Sequence, residues 1–486
     1  MKKRIFALIL ALVTLSCCLV SCSDKDEGAQ DTTVSTAENT ENAEKGHGLP
    51  DVKYGRSVVI LTRADEMYLK DVFVKALNEQ STSVDQAVYE RNKTIEDEFG
   101  VDFFSVTAES ANKMNDMIES DVGAGESEYH IVANHGRNMF SYAINQRLVD
   151  WNTLQYVDLD AEWWSQSAKN EWSTPGGKLF LMTGDISYTG VGSAPVMFFN
   201  KTYVKDSQLK SPYELVYDNE WTLAKLREYS ITLDAYLEED GDGSGDIATD
   251  TFGYVTEKNR GPGYAPFCAG SKTLTLNGQG TYELGQADEK TGNALKLYYE
   301  FVVQSGSAYY NADTKVGNIR SSFAGGAAAF YDDNVCEAIK LKESGIDFGI
   351  VPWPKYDGSQ QSYNLVAGCG ANAFGVLINT VETDREFISV MLEAMAYYGG
   401  KDVIPFYFDT VVSYQAFKDN DSVEMLKIVR RDLHYDFGGW SGFGNFTNVG
   451  RDVIARNGTP ASTILQEYAS ASQTALDSWY ALDATE

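Results

Sequence analysis

Two apolar runs separated by a stretch with helical periodicity constrain this chain more than any other feature. Ser57 to Thr62 (SVVILT) has the aliphatic and β-branched residues of a buried strand, Val84 to Phe99 spaces its apolar residues as a helix does, and Val101 to Val106 is a second strand. Strand, helix and strand in that order predict a parallel pair with a right-handed crossover. Met114 to Val122 adds a helix and His130 to Ala133 a third strand. A further unit of the same kind occupies Ser321 to Gly375. It reads as a small-residue turn (Phe323 to Gly326), a strand (Ala327 to Tyr331), an acidic loop (Asp332, Asp333, Asn334), a short helix, and a strand (Phe348 to Val351) closed by Pro352 and Pro354. The fold class is α/β. At 486 residues the chain is too long for one simple core, so two lobes are expected, and 43% hydrophobic residues suffice to fill them.

In open α/β sheets ligands bind beyond strand ends, where polar groups converge with no neighbouring strand to cover them. That rule selects Arg63 and Asp65 after the first strand, His135 and Arg137 after the third, and Asp333 and Asn334 in the acidic loop. Lys178 to Met182 reads as another strand, and Asp185 and Tyr188 lie in the polar turn after it. Tyr264, in the Gly/Pro/aromatic loop Thr251 to Gly270, either lines a cleft or belongs to a plain surface loop. Trp163 stands in an aromatic segment whose rings suit either a sugar face or the core. Thr383 and Glu386 form an expected capping box for a helix over Phe387 to Tyr398, stopped by Gly399 and Gly400. A strand precedes it at Gly375 to Ile378, and a last helix spans Ile464 to Trp479.

Acidic residues outnumber basic ones 70 to 40, a net charge of −30, and no basic block follows the first four residues. Nucleic acid is excluded as a partner, since phosphate binding needs clustered cations. The histidines and cysteines lack metal-ligand spacing, and there is no phosphate-cradling Gly-rich loop with Lys-Ser/Thr. Cys268, Cys336 and Cys369 are an odd set, so no disulfide is expected among them. Asp240, Asp242, Ser244 and Asp246 alternate as calcium ligands do, but Thr251 stands where a bidentate carboxylate is needed. A weak structural calcium site and a bare solvated turn both fit.

Residues 1 to 22 combine a basic start (Lys2, Lys3, Arg4), an apolar run from Ile5 to Leu15, and Leu19-Val20-Ser21-Cys22. This is a secretory signal over 1–21 whose end resembles the bacterial lipobox, which implies a diacylglycerol anchor on Cys22; an ordinary signal cleaved nearby is the alternative. Acidic, Ser/Thr/Asn-rich sequence over 22–53 is the expected tether.

Several phrases share one resemblance. "FAGGAAAFYDDN" and "IDFGIVPWP" in the late unit, "AVYERNKTIEDEFGV" near the start, "DAEWWSQSA" and "APVMFFNK" resemble the extracellular solute-binding proteins of ABC importers, the group that includes the maltodextrin-binding proteins. The resemblance implies a two-lobed periplasmic-binding-protein-like fold (type II). Residues 54–197 with 368–408 would form one lobe and 198–367 with 409–486 the other, with three crossings between them. It implies a monomer that closes around a small solute, a sugar by analogy, and delivers it to permease subunits from the outer face of a membrane. It also assigns sugar-hydroxyl contacts to His135 and Arg137 and ring stacking to Trp440. Set against these are a His135 that only caps a helix and a Trp440 that plugs the core. A surface carbohydrate-active enzyme or an adhesive lipoprotein are the competing functions.

Overall fold

In the computed structural model residues 46–125, 127–237, 247, 249–312, 316–408 and 419–485 are described. Cys22, the tether as far as residue 45, and the loop of Asp240, Asp242, Ser244 and Asp246 lie outside them. From Leu49 onward the chain is one compact unit, organised on two sheets.

The first sheet contains β1 (Arg56–Arg63), β2 (Val101–Ala108), β3 (Ile131–His135) and, from much later in the chain, β12 (Asn372–Gly375), in the order β12-β3-β1-β2. β1 pairs in parallel with β2 from Arg56↔Val101 to Arg63↔Ala108, the pairing the strand-helix-strand pattern predicts. The connecting helix, Ser83–Phe99, starts on a capping box between Thr82 and Asp85 and ends at Gly100, whose φ of 61° suits a residue without a Cβ. Its Val84, Val88, Ile95 and Phe99 are buried. β12 runs antiparallel to β3, with Asn372 opposite His135.

The second sheet takes β4 (Pro195–Asn200), β5 (Phe252–Glu257), β8 (Ala308–Asn311), β9 (Ala328–Asn334) and β10 (Phe348–Pro352), in the order β10-β4-β9-β5-β8. β4 is antiparallel to both neighbours, while β9, β5 and β8 run parallel. Two small ladders complete the set: a hairpin of β6 (Leu274–Leu276) with β7 (Tyr282–Leu284), and a parallel bridge of β11 (Leu365–Val366) with β13 (Leu433–His434). The helix Leu223–Leu237 opens with Trp221 fully buried and the Thr222 hydroxyl accepting from the Lys225 N–H at 3.2 Å.

Several local expectations fail for identifiable reasons. Asp332, Asp333 and Asn334 are not a loop: β4 pairs with them, Met197↔Asp332 to Pro195↔Asn334, and so extends the strand. Gly399 and Gly400 do not stop the helix Glu382–Tyr398, which passes into a π-helical turn at Gly399–Val403. A Cβ at Gly399 would stand 2.1 Å from the Asp185 carbonyl oxygen, so the glycine serves close packing. No side chain caps the start of that helix; its N-cap is Val381, and Thr383 lies inside the first turn. Lys178 to Met182 makes no strand, only a bridge from Met182 to Phe374, and the strand expected over Gly375 to Ile378 is β12, three residues earlier.

Between the sheets lies a buried polar network. Asp71 accepts hydrogen bonds from Ser187 Oγ (2.5 Å), the Tyr188 N–H (2.9 Å), Thr189 Oγ1 (3.2 Å) and Asn372 Nδ2 (2.8 Å). Arg91, also buried, donates to the carbonyls of Val72 and Ile186 at 3.0 and 3.1 Å. These contacts tie the helix over Glu66–Val72 to the segment preceding β4 and to β12, where the chain returns to the first sheet.

Candidate ligand-binding cavity

Both sheets turn the same kind of edge toward one space. From the first come the carboxyl ends of β1 and β3 and the start of β12; from the second come the carboxyl ends of β5, β9 and β10 with the start of β4. A cavity of about 240 Å³ opens there, near the small end of ligand pockets. Arg137, just beyond β3, lines it from one side. Pro195 at the start of β4, Lys258 and Asn259 after β5, and Trp353 and Pro354 after β10 line it from the other. The segment from Asn364 to Cys369, which runs from the second sheet back to the first, forms part of its wall, with Thr447 and Asn448 from the C-terminal region.

The aromatic surface comes from Tyr264, Phe267 and Trp353. Tyr264 and Trp353 meet edge-on, centroids 6.1 Å apart. The Tyr264 hydroxyl donates to Asn334 Oδ1 at 2.8 Å, and Arg260 Nε donates to the buried Asp333 at 2.5 Å while also lying 3.6 Å from Glu257. Asn334 and Asp333 thus hold the wall of the cavity, with their side-chain oxygens engaged by Tyr264 and Arg260. The indole N–H of Trp353 donates to Asp332 Oδ2 at 3.3 Å. Burial, together with the neighbouring Asp333 charge, pushes the Asp332 carboxyl up to about 8, against hydrogen bonds from Thr256, Trp353 and Tyr254.

Arg63 and His135 stand at the strand ends beside Arg137. Arg63 Nη2 donates to the Gly370 carbonyl (2.8 Å) and Asn372 Oδ1 (3.0 Å), and its guanidinium lies 3.5 Å over the Tyr68 ring. Its charge is spent on the returning segment. His135 is the N-cap residue of the helix Gly136–Ile144 but gives it no side-chain hydrogen bond. Burial, then the charges of Arg63 and Arg137, lowers its pKa to about 4, and its buried Nδ1 lacks a hydrogen-bond partner among the described residues. Asp65 is exposed at the start of the helix Glu66–Val72.

The remaining sequence candidates sit apart from this cavity. Trp440 is fully buried; it donates its indole N–H to the Ala367 carbonyl (2.8 Å) and packs on Trp172 and Tyr435. Gly136 lies against its ring: a Cβ there would stand 2.4 Å from Trp440 Cε3. The expectation of a ring open for stacking therefore gives way to the core plug that its glycine-rich setting equally allows. Tyr188 is buried and stacks on Tyr407 with centroids 5.0 Å apart. Trp163 and Asp185 line a second, separate pocket of about 470 Å³ with Tyr397, Lys401 and Arg430. The Trp163 indole N–H donates to Glu393 Oε1 at 2.9 Å, and Trp164 donates to Oε2 at 2.8 Å.

Trp353 escaped the sequence reading although it follows a strand immediately, the signal that selected Arg63 and His135. Lys258 and Asn259 escaped it because Thr251 to Gly270 reads as one loop, whereas Phe252–Glu257 is β5. Asn364, Thr447 and Asn448 carry no such signal, because only the fold brings them to the cavity. Cys268, Cys336 and Cys369 are free thiols. Among the described residues no group of three or more metal-ligating side chains occurs, and no helix is long and apolar enough to cross a membrane.

No protein-family model and no curated protein sequence matches the chain. Solved structures do. The GacH receptor of Streptomyces glaucescens GLA.O, described unliganded and with acarbose, is similar over 87% of this chain and 99% of its own, with a TM-score of 0.55 at 14% identity. The ABC substrate-binding protein Lmo0181 from Listeria monocytogenes, in complex with cycloalternan, is similar over 86% and 98%, with a TM-score of 0.54 at 12% identity. UgpB from Mycobacterium tuberculosis, in complex with glycerophosphocholine, is similar over 82% and 96%, with a TM-score of 0.55 at 14% identity. The fold is the two-lobed, periplasmic-binding-protein-like fold that the sequence phrases suggest.

Proposed function

We propose that this chain is the solute receptor of an ABC importer, closing two lobes around a carbohydrate or related polyhydroxy solute. The observation that carries the reading is the cavity itself. Strand ends of both sheets and the segment that joins them converge on one space lined by amides, a phenol, an indole and two cations. Such a lining offers apolar faces to a ring and hydrogen bonds to its hydroxyls. Among the described residues nothing in it pairs two carboxylates across the space as glycoside hydrolysis requires, so binding is favoured over turnover. The ligands of the similar structures, acarbose, cycloalternan and glycerophosphocholine, all carry free hydroxyl groups, the first two as carbohydrates, and support the same class.

In this reading residues 54–197 with 368–408 form one lobe and 198–367 with 409–486 the other, and Arg137, Tyr264 and Asn334 contact the solute or hold what does. Cys22 carries a lipid that places the monomer on the outer face of the membrane, where the closed form docks on permease subunits. The test is a thermal-shift screen of the purified protein against mono- and oligosaccharides, polyols, peptides and amino acids, with product analysis of every hit. A ligand that binds only the folded state raises the melting temperature by mass action. A rise without turnover is expected; turnover would make the protein an enzyme.

A further inference from the structure

The charges around the cavity are one-sided. Arg137 and Lys258 are its only ionisable wall residues of either sign apart from tyrosine and cysteine, and no Asp or Glu lines it among the described residues. This is unexpected in a chain with 70 acidic and 40 basic residues. The two cations come from opposite sheets, Arg137 from beyond β3 and Lys258 from beyond β5. Among the described residues neither is within ion-pair distance of a carboxylate. The contrast with Arg260, two residues after Lys258, is direct: its guanidinium is held by Asp333 and Glu257 and its charge is already matched.

Arg63, at the end of the adjacent strand, is engaged by the Gly370 carbonyl and Asn372, and His135 is kept neutral by burial and then by the charges of Arg63 and Arg137. The other polar walls are Asn259, Asn364, Thr447 and Asn448, groups that satisfy hydroxyls without adding negative charge. A neutral sugar gains most from a site with carboxylate acceptors, because each hydroxyl is also a donor. This site has cations instead, which favour an acceptor-rich, charged ligand.

Building on the receptor reading, we infer that the solute is an anionic carbohydrate whose carboxylate, phosphate or sulfate group is held between Arg137 and Lys258. The charge on the ligand then bridges the two lobes, and its neutralisation favours the closed state. An anion approaching this protein meets a net negative surface, so selection for it has to be local.

The experiment is calorimetric titration of the purified protein with matched pairs: uronic-acid oligosaccharides against their carboxyl-reduced forms, sugar phosphates against the free sugars, and sulfated against unsulfated sugars. The expected result is that one acidic member binds at least about tenfold more tightly than its neutral partner. Its affinity falls as salt rises, and Arg137→Gln and Lys258→Gln each weaken it about tenfold or more while leaving the melting temperature of the free protein unchanged. The three pairs separate carboxylate, phosphate and sulfate. Equal or tighter binding of the neutral partners, or acidic binding unaffected by both substitutions, overturns the anionic site and leaves the receptor reading standing. Turnover of a bound sugar overturns the receptor reading instead, and silence across all pairs overturns both.

Discussion

Replacing Asp332 by Asn is expected to make the protein more stable at neutral pH, although it alters a fully buried residue of β9. Among the described residues Asp332 has no ion-pair partner; one oxygen accepts from Trp353 at 3.3 Å, and burial raises the carboxyl from 3.8 to about 8. At pH 7 the unfolded chain ionises this group and the folded chain keeps it neutral. The preference costs about 1.4 kcal/mol for each pH unit above 3.8, or about 4 kcal/mol at pH 7. The sign follows from proton counting: the folded state binds the extra proton, so the stability associated with Asp332 is complete below pH 3.8 and is lost as pH rises toward 8. Asn has nearly the same shape, keeps an oxygen for the Trp353 indole and does not ionise. Urea unfolding followed by tryptophan fluorescence, at pH 5, 6, 7 and 8, measures both proteins. The variant should be the more stable by up to about 4 kcal/mol at pH 7, with the gap narrowing toward pH 4. If the variant is equal or weaker at pH 7 and 8 and keeps the wild-type pH slope, Asp332 is ionised in the native state and the reasoning fails.

Other outcomes follow from the same packing. Glu393, Asp185 and Asp436 are also pushed up by burial, to about 7, 6 and 6, so wild-type stability should rise as pH is lowered from 8 to 5.5 in a calorimetric series; a fall over that range would contradict these shifts. Asp71→Ala removes the common acceptor of four donors and leaves Arg91 buried beside the gap, and a loss of about 3–5 kcal/mol is expected in denaturant unfolding. Trp440→Ala should cost about 3–5 kcal/mol through the cavity it leaves; a loss below 1 kcal/mol would mean the ring is not core. Gly136→Ala forces a methyl against that ring at 2.4 Å and should cost about 1–3 kcal/mol. Because His135 and Arg137 flank it, the same change should weaken ligand binding as well.

The sequence made the first sheet legible because β1, its helix and β2 alternate strongly and carry their own caps. It also located the edge of the cavity, through Arg137 and Tyr264. What it could not show were consequences of distant pairing. Asp332 and Asp333 look like a polar loop, yet β4, more than a hundred residues earlier, makes them a strand. Trp440 has the glycine-rich setting of a binding loop, and only Gly136 and Ala367, both remote in sequence, show the ring to be enclosed. Gly399 and Gly400 look like a helix stop because nothing local reveals Asp185 packed against them. Trp353 is legible by the strand-end rule, since it directly follows a recognisable strand; Lys258 is not, because Thr251 to Gly270 reads as one loop and only the pairing with β9 and β8 makes Phe252–Glu257 a strand.

The segment from Leu365 to Asn372 deserves to be seen as a mechanical part. At one end Leu365 and Val366 pair with Leu433 and His434; in the middle the Gly368 N–H reaches the Ser193 carbonyl at 3.3 Å and its hydroxyl at 3.1 Å; at the other end Asn372 enters the first sheet. The same peptides wall the cavity. Any change in the angle between the sheets must be absorbed partly by torsions here, among groups a bound molecule would touch. In the receptor reading proposed above, grip and gape share one set of bonds, so a substitution at Ser193 or Gly368 is expected to change together how tightly a solute is held and how widely the lobes open.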